Sequence, residues 1–121
     1  MLISRRPRRF AVQRPGVPTL EALMPLMAIE LQRARRYSRP LTLVSVTAEN
    51  GAFPQLRILD LVAVAPAQYR LVITLPETDV EDTRGFLDRM RDDGVVGGFR
   101  SATFPDHALT LPSLLSRVLD A

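Results

Sequence analysis

The sequence predicts an α/β fold: a ferredoxin- or palm-like sandwich with helices packed on a central, mostly antiparallel sheet. Three observations predict it. Apolar residues recur at three- and four-residue steps over residues 19–38, 78–93 and 111–120, which is helical spacing. Between these segments lie runs rich in apolar and β-branched residues, at 41–48, 59–65 and 69–75. The last two runs are separated only by Pro66-Ala67-Gln68, so they form a hairpin inside a chain that otherwise alternates strand and helix. A length of 121 residues implies one domain, and 46% hydrophobic residues suffice for a packed core.

Residues 1–18 hold five Arg with Pro7, Pro15, Gly16 and Pro18 and show little periodicity; they read as a flexible arm, with the domain spanning 19–121. A nucleic acid or an acidic membrane surface could meet such an arm, but a solvated tail is the simpler reading. Phe10 alone offers little for base stacking, so nucleic acid is not the expected partner. Thr19 is the N-cap of the first helix, whose apolar face is Leu20, Leu23, Met27, Leu31 and Ala34. Pro25 should either kink that helix or mark its first turn. Arg33, Arg35, Arg36 and Arg39 lie near its C-terminal end, where cations meet the negative end of the helix dipole.

Pro40 ends the helix and residues 41–48 follow as a strand. Leu41, Leu43, Ser45 and Thr47 face one way, and Thr42, Val44, Val46 and Ala48 the other. Both sets are mostly apolar, which suits a central strand covered on each side. Glu49-Asn50-Gly51 is a turn, and residues 52–60 are ambiguous, with one helical turn conceivable after Pro54. After the hairpin, Thr78 and Glu81 fit a capping box for a helix with inner residues Val80, Thr83, Phe86, Leu87 and Met90, ended by Gly94. Residues 95–104 read as a strand or short hairpin weakened by Gly97 and Gly98, and Pro105-Asp106-His107 as a turn. Thr110 caps the last helix, with Pro112 in its first turn.

Composition excludes several chemistries. There is no cysteine, hence no disulfide, thiolate metal site or cysteine nucleophile. His107 is the only histidine, so a multi-histidine metal site cannot be built; it lies in a turn and reads as a surface residue. All sixteen basic residues are arginine. Residues 1–50 hold nine Arg against three Glu, and residues 51–121 hold seven Arg against ten acids, so two copies could attract head to tail. No apolar run approaches the roughly 18–20 residues of a membrane span, and a cytoplasmic location is expected. Asp79, Glu81 and Asp82 are better explained by the positive end of a helix than by a metal.

Four stretches add a family likeness. Arg33-Ala34-Arg35-Arg36-Tyr37-Ser38-Arg39-Pro40-Leu41 leads from helix to strand, and Leu71-Val72-Ile73-Thr74-Leu75-Pro76-Glu77-Thr78-Asp79 leads from strand to helix. Ser101-Ala102-Thr103-Phe104-Pro105-Asp106 is a late strand and its turn, and Leu114-Leu115 lies in the last helix. Together they make residues 20–120 resemble a GGDEF domain, the diguanylate cyclase fold, in a degenerate and truncated form.

The resemblance implies where a cyclase site would be, and the residues there depart from it. In the family a Gly-Gly-Asp-Glu-Phe hairpin lets the backbone approach nucleotide phosphates and its Glu helps hold a divalent metal. Here the hairpin reads Ala67-Gln68-Tyr69-Arg70-Leu71. Arg70 stands in the place of the metal-binding Glu, where a guanidinium repels a metal ion and cannot ligate one. Thr47 stands in the place of the other metal carboxylate, with Glu49 as the one nearby acid, and the link from Thr47 to Ala67 is much shorter than the family's. The expectation is no cyclase activity, no catalytic residue, no metal and no cofactor. Arg57-Ile58-Leu59-Asp60 matches the family's Arg-x-x-Asp product site, one residue further from the hairpin than usual. Arginine can fork to phosphate or to a guanine edge and a carboxylate can accept from guanine N–H groups. The expected function is an inactive GGDEF-like domain in bacterial signal transduction that binds cyclic di-GMP through Arg57 and Asp60. The alternative is a protein-interaction or dimerisation scaffold that binds no nucleotide.

Overall fold

The computed structural model describes residues 16–47, 55–95 and 97–120. They form an α/β fold in which a four-stranded antiparallel sheet carries three helices. The first helix, α1 (Leu20–Tyr37), is followed by strand β1 (Leu41–Val46) and the hairpin strands β2 (Leu61–Ala65) and β3 (Arg70–Pro76). Helix α2 (Val80–Asp92), strand β4 (Arg100–Phe104) and helix α3 (Leu111–Leu119) complete the chain. The strand order is β2-β3-β1-β4, with β1 antiparallel to both β3 and β4. Sequence neighbours β1 and β2 are thus separated by β3, the split arrangement of ferredoxin-like sandwiches.

The alternation along β1 builds two cores, one on each face of the sheet. Leu41 and Leu43 join Ala63, Val72 and Ala102 beneath α1 and α3, which contribute Leu23, Met27, Leu31, Leu114 and Val118. Val44 and Val46 join Val64, Leu71, Ile73 and Leu75 beneath α2, which contributes Phe86 and Met90. All six residues of β1 are buried, as its doubly apolar pattern requires.

Several boundaries differ from the sequence reading. Helix α1 starts at Leu20 behind the Thr19 cap and runs through Pro25, because packing of its buried face outweighs the one backbone bond that proline removes. The arm joins the domain before residue 19: Val17 packs against the α2-side core, and the Pro18 carbonyl accepts from Val64 N at 2.8 Å. Strand β1 ends at Val46; β2 begins at Leu61, after a turn at Ile58 and Leu59. Tyr69 is not in the sheet. It adopts φ 55° as the cap of a 3-10 turn over Pro66–Gln68, so β3 starts at Arg70. The capping box of α2 is Asp79 with Asp82, one residue later than Thr78 with Glu81, because the Thr78 hydroxyl is buried and donates to Pro76 O instead. Of the described residues between 95 and 104, Arg100–Phe104 alone form a strand.

Gly94 at φ 91° ends α2, the turn at 105–107 is present, and Thr110 caps α3. The turn expected at Glu49-Asn50-Gly51 and residues 1–15 of the arm lie outside the described residues, and no helical turn follows Pro54: residues 55–60 hold only the turn at Ile58 and Leu59. Among the described residues no helix is long and apolar enough to cross a membrane.

Candidate functional site

Arg57 and Asp60 are brought together, each as the other's partner. The turn at 58–59 folds Asp60 back, so that its Oδ2 accepts from Arg57 N at 2.8 Å, while Asp60 N donates to Arg57 O at 3.0 Å. The guanidinium closes the same loop: Nη2 reaches Oδ1 at 2.8 Å and Nε reaches Oδ1 at 3.1 Å. Nη2 also donates to Pro76 O and to Thr78 Oγ1, both at 3.0 Å. The pair therefore clips the approach to β2 onto the end of β3. The Asp60 side chain is 1% exposed and that of Arg57 is 52% exposed. A ligand can reach the guanidinium from solvent. To reach the carboxylate it must open the fork and expose a charge that the fork now neutralises.

At the opposite end of β3, Arg70 points into the protein, on the α1 and α3 side. Its Nε donates to Ser45 Oγ at 2.8 Å, and its Nη2 to Ser45 O at 3.2 Å and to Gly98 O. Ser45 Oγ in turn donates to Val118 O near the end of α3. Arg100, opposite Ser45 in the β1–β4 register, donates to Asp120 O at 2.9 Å. Arg100 thus meets the carbonyl end of α3, where the helix dipole is negative, directly, and Arg70 is linked to it through Ser45. Burial pushes the Arg70 pKa down, and the neighbouring charge of Arg100 adds to the effect. The place that the GGDEF resemblance gives to a metal carboxylate is thus filled by a buried cation bonded to Ser45 in the sheet and to Gly98, and linked to α3 through Ser45. Sequence reading missed Ser45, whose only signal is a lone hydroxyl within an apolar central strand.

A set of buried threonines fixes α2 to the sheet. Thr103 and Thr42 share a hydroxyl contact at 2.7 Å, Thr42 donates to Thr78 O at 2.8 Å, and Thr83 donates to Asp79 O at 2.7 Å. Periodicity marked Thr83 as inward but gave no partner for it. Asp79 and Asp82 are engaged in the α2 cap at 2.8 Å, and among the described residues no group of three acidic or histidine side chains converges as a metal site would require. His107 is exposed; its Nδ1 accepts from Thr103 N at 2.9 Å and its own N–H donates to Thr103 O at 2.7 Å, covering part of the open edge of β4.

The basic cluster at the end of α1 is dispersed among separate partners. Arg33 meets Glu30 and Arg39 meets Glu77, at 3.5 and 3.2 Å. Arg35 donates to Leu109 O and lies over Phe104, and Arg36 stacks on Tyr37. Between α1 and the β2–β3 side of the sheet lies a shallow groove of about 130 Å³, bordered by Tyr37, Arg39, Pro40, Leu59 and Pro76. Seven large apolar side chains are exposed among the described residues. Five of them, Leu26, Ile29, Tyr37, Ile58 and Leu59, belong to the outer flank of α1 or the turn leading into β2. Compared with known proteins, the chain matches no family model and no curated relative.

Proposed function

We propose that this chain is a non-catalytic GGDEF-like signalling domain that works by contact with another protein chain. The observation that carries the reading is the gathering of exposed apolar side chains along α1 and the turn before β2, of which Tyr37 and Leu59 border one groove. Scattered apolar residues on a surface need no explanation, but a contiguous group marks a contact site. The buried Arg70 supports the absence of cyclase chemistry, since a guanidinium held by Ser45 and Gly98 cannot ligate a metal. The test is a photo-crosslinking residue placed at Ile29, with one at Arg91 on α2 as the control. Crosslinks to protein from Ile29 and not from Arg91 are expected; equal yields, or none from Ile29, would remove the reading. Incubation with GTP and magnesium should give no cyclic dinucleotide.

A second reading is cyclic di-GMP binding at Arg57, favoured by the half-exposed guanidinium with an acidic partner. Thermal unfolding tests it directly. Ligand at about 100 times its dissociation constant adds about 2.7 kcal/mol. That raises the midpoint of a domain this size by about 10 °C. The rise should vanish in Arg57→Ala and be absent with GTP. No shift with the cyclic dinucleotide leaves the protein-contact reading alone.

A further inference from the structure

Helix α1 carries two stripes. The buried one is Leu23, Met27, Leu31 and Ala34. The second is Ala22, Leu26, Ile29, Arg33 and Tyr37, at steps of three and four residues, and all five are exposed. At about 100° per residue it lies roughly a third of a turn round the helix from the buried stripe. Spacing of this kind is that of a helix–helix seam, with Leu26 and Ile29, each 50% exposed, at its centre.

We infer that this stripe is a self-complementary interface on which a second copy of the chain seats its own α1, antiparallel, about a two-fold axis near Ala28 and Ile29. The charges select that occupant and that direction. Glu21 and Arg36 lie fifteen residues apart, equally far from this centre, and within about 60° of each other around the helix, so they share one flank of the seam. Like flanks face each other when two copies pair antiparallel, and each Glu21 then meets the partner's Arg36, twice by symmetry. Both are exposed and neither has an oppositely charged side chain in contact among the described residues; Arg36 rests on Tyr37 at 5.6 Å. A parallel pair would instead set Arg33, in the line of the seam, against its own copy and align the helix dipoles unfavourably. Contact between α1 and the acidic α2 of another copy would match charge, but α2 presents none of the exposed large apolar residues and gives the stripe nothing to bury against.

This inference rests on the protein-contact reading, yet it can fail by itself: a crosslink from Ile29 to a different protein would leave that reading standing and remove this one. Sedimentation equilibrium of the full chain, from micromolar to millimolar concentration, tests it. A reversible dimer is expected. Leu26→Glu with Ile29→Glu should be monomeric with an unchanged far-ultraviolet circular dichroism spectrum. Glu21→Arg alone and Arg36→Glu alone should each weaken the dimer about fivefold, the effect of losing two exposed ion pairs. The two reversals combined in one chain should restore it, because both symmetric contacts are then re-formed with the signs exchanged. A monomer at every concentration, a dimer indifferent to Leu26 and Ile29, or a double reversal no tighter than the single ones would overturn the inference.

Discussion

At the scale of single residues, two pairs of side chains show how burial decides the sign of an effect. Asp60 is a carboxylate cut off from water, and Arg57 is its partly solvated partner. Removing Arg57 leaves a buried charge held by the backbone N–H of residue 57, whereas removing Asp60 leaves a cation that can turn to solvent. We expect Arg57→Ala to cost about 2–3 kcal/mol and Asp60→Ala about 1–2 kcal/mol, with the double variant short of their sum, measured by urea unfolding. The threonines make the second contrast. Thr74 Oγ1 is buried without a partner, while Thr42 Oγ1 joins Thr78 O and Thr103. Thr74→Val should be neutral or stabilising by about 1 kcal/mol, and Thr42→Val destabilising by about 1–3 kcal/mol, because only the second leaves a buried polar group unpaired. Neither contrast is visible in the sequence, where both threonines occupy inner strand positions alike.

At the scale of elements, helix ends were legible and their exact partners less so. Thr19 and Thr110 cap α1 and α3, as their positions before apolar periodic runs suggest. For α2 the sequence reading places the box at Thr78 with Glu81, whereas the structure forms it at Asp79 with Asp82. The choice is made by Arg57 and Pro76, which hold the Thr78 hydroxyl away from the helix. Asp79→Ala should therefore cost about 1 kcal/mol in thermal unfolding, and Glu81→Ala less than about 0.5 kcal/mol. Comparable losses in the two would move the cap back by one residue. The late start of β3 has a similar origin: Tyr69 is a good strand former by type, but the 3-10 turn before it needs a residue in the left-handed region.

At the scale of the whole molecule, one sheet serves two cores, with β1 and β3 contributing to both. Leu43 and Ile73 are fully buried on opposite faces. Each substitution to alanine should cost about 2–5 kcal/mol. Both should lower the midpoint of one common transition, followed by far-ultraviolet circular dichroism and by tyrosine fluorescence. Two separable transitions would mean that α2 and its core unfold as a unit of their own.

The sequence by itself determined the α/β class, the order of the elements and the two-sided burial of β1. These depend on local periodicity and turn chemistry, which neighbouring residues carry among themselves. Arg57 and Asp60 came to notice as a pair through the resemblance to the GGDEF family's Arg-x-x-Asp site. Tertiary structure alone decided what those residues and Arg70 do. The Arg57–Asp60 fork reaches β3, and the Arg70 guanidinium reaches Ser45 and, through it, α3. Those partners are distant in the chain, and only the folded sheet fixes the distances on which charge pairing and hydrogen bonding depend. The outer stripe of α1 was present in the sequence all along, but it became a surface only once the sheet had claimed the other face.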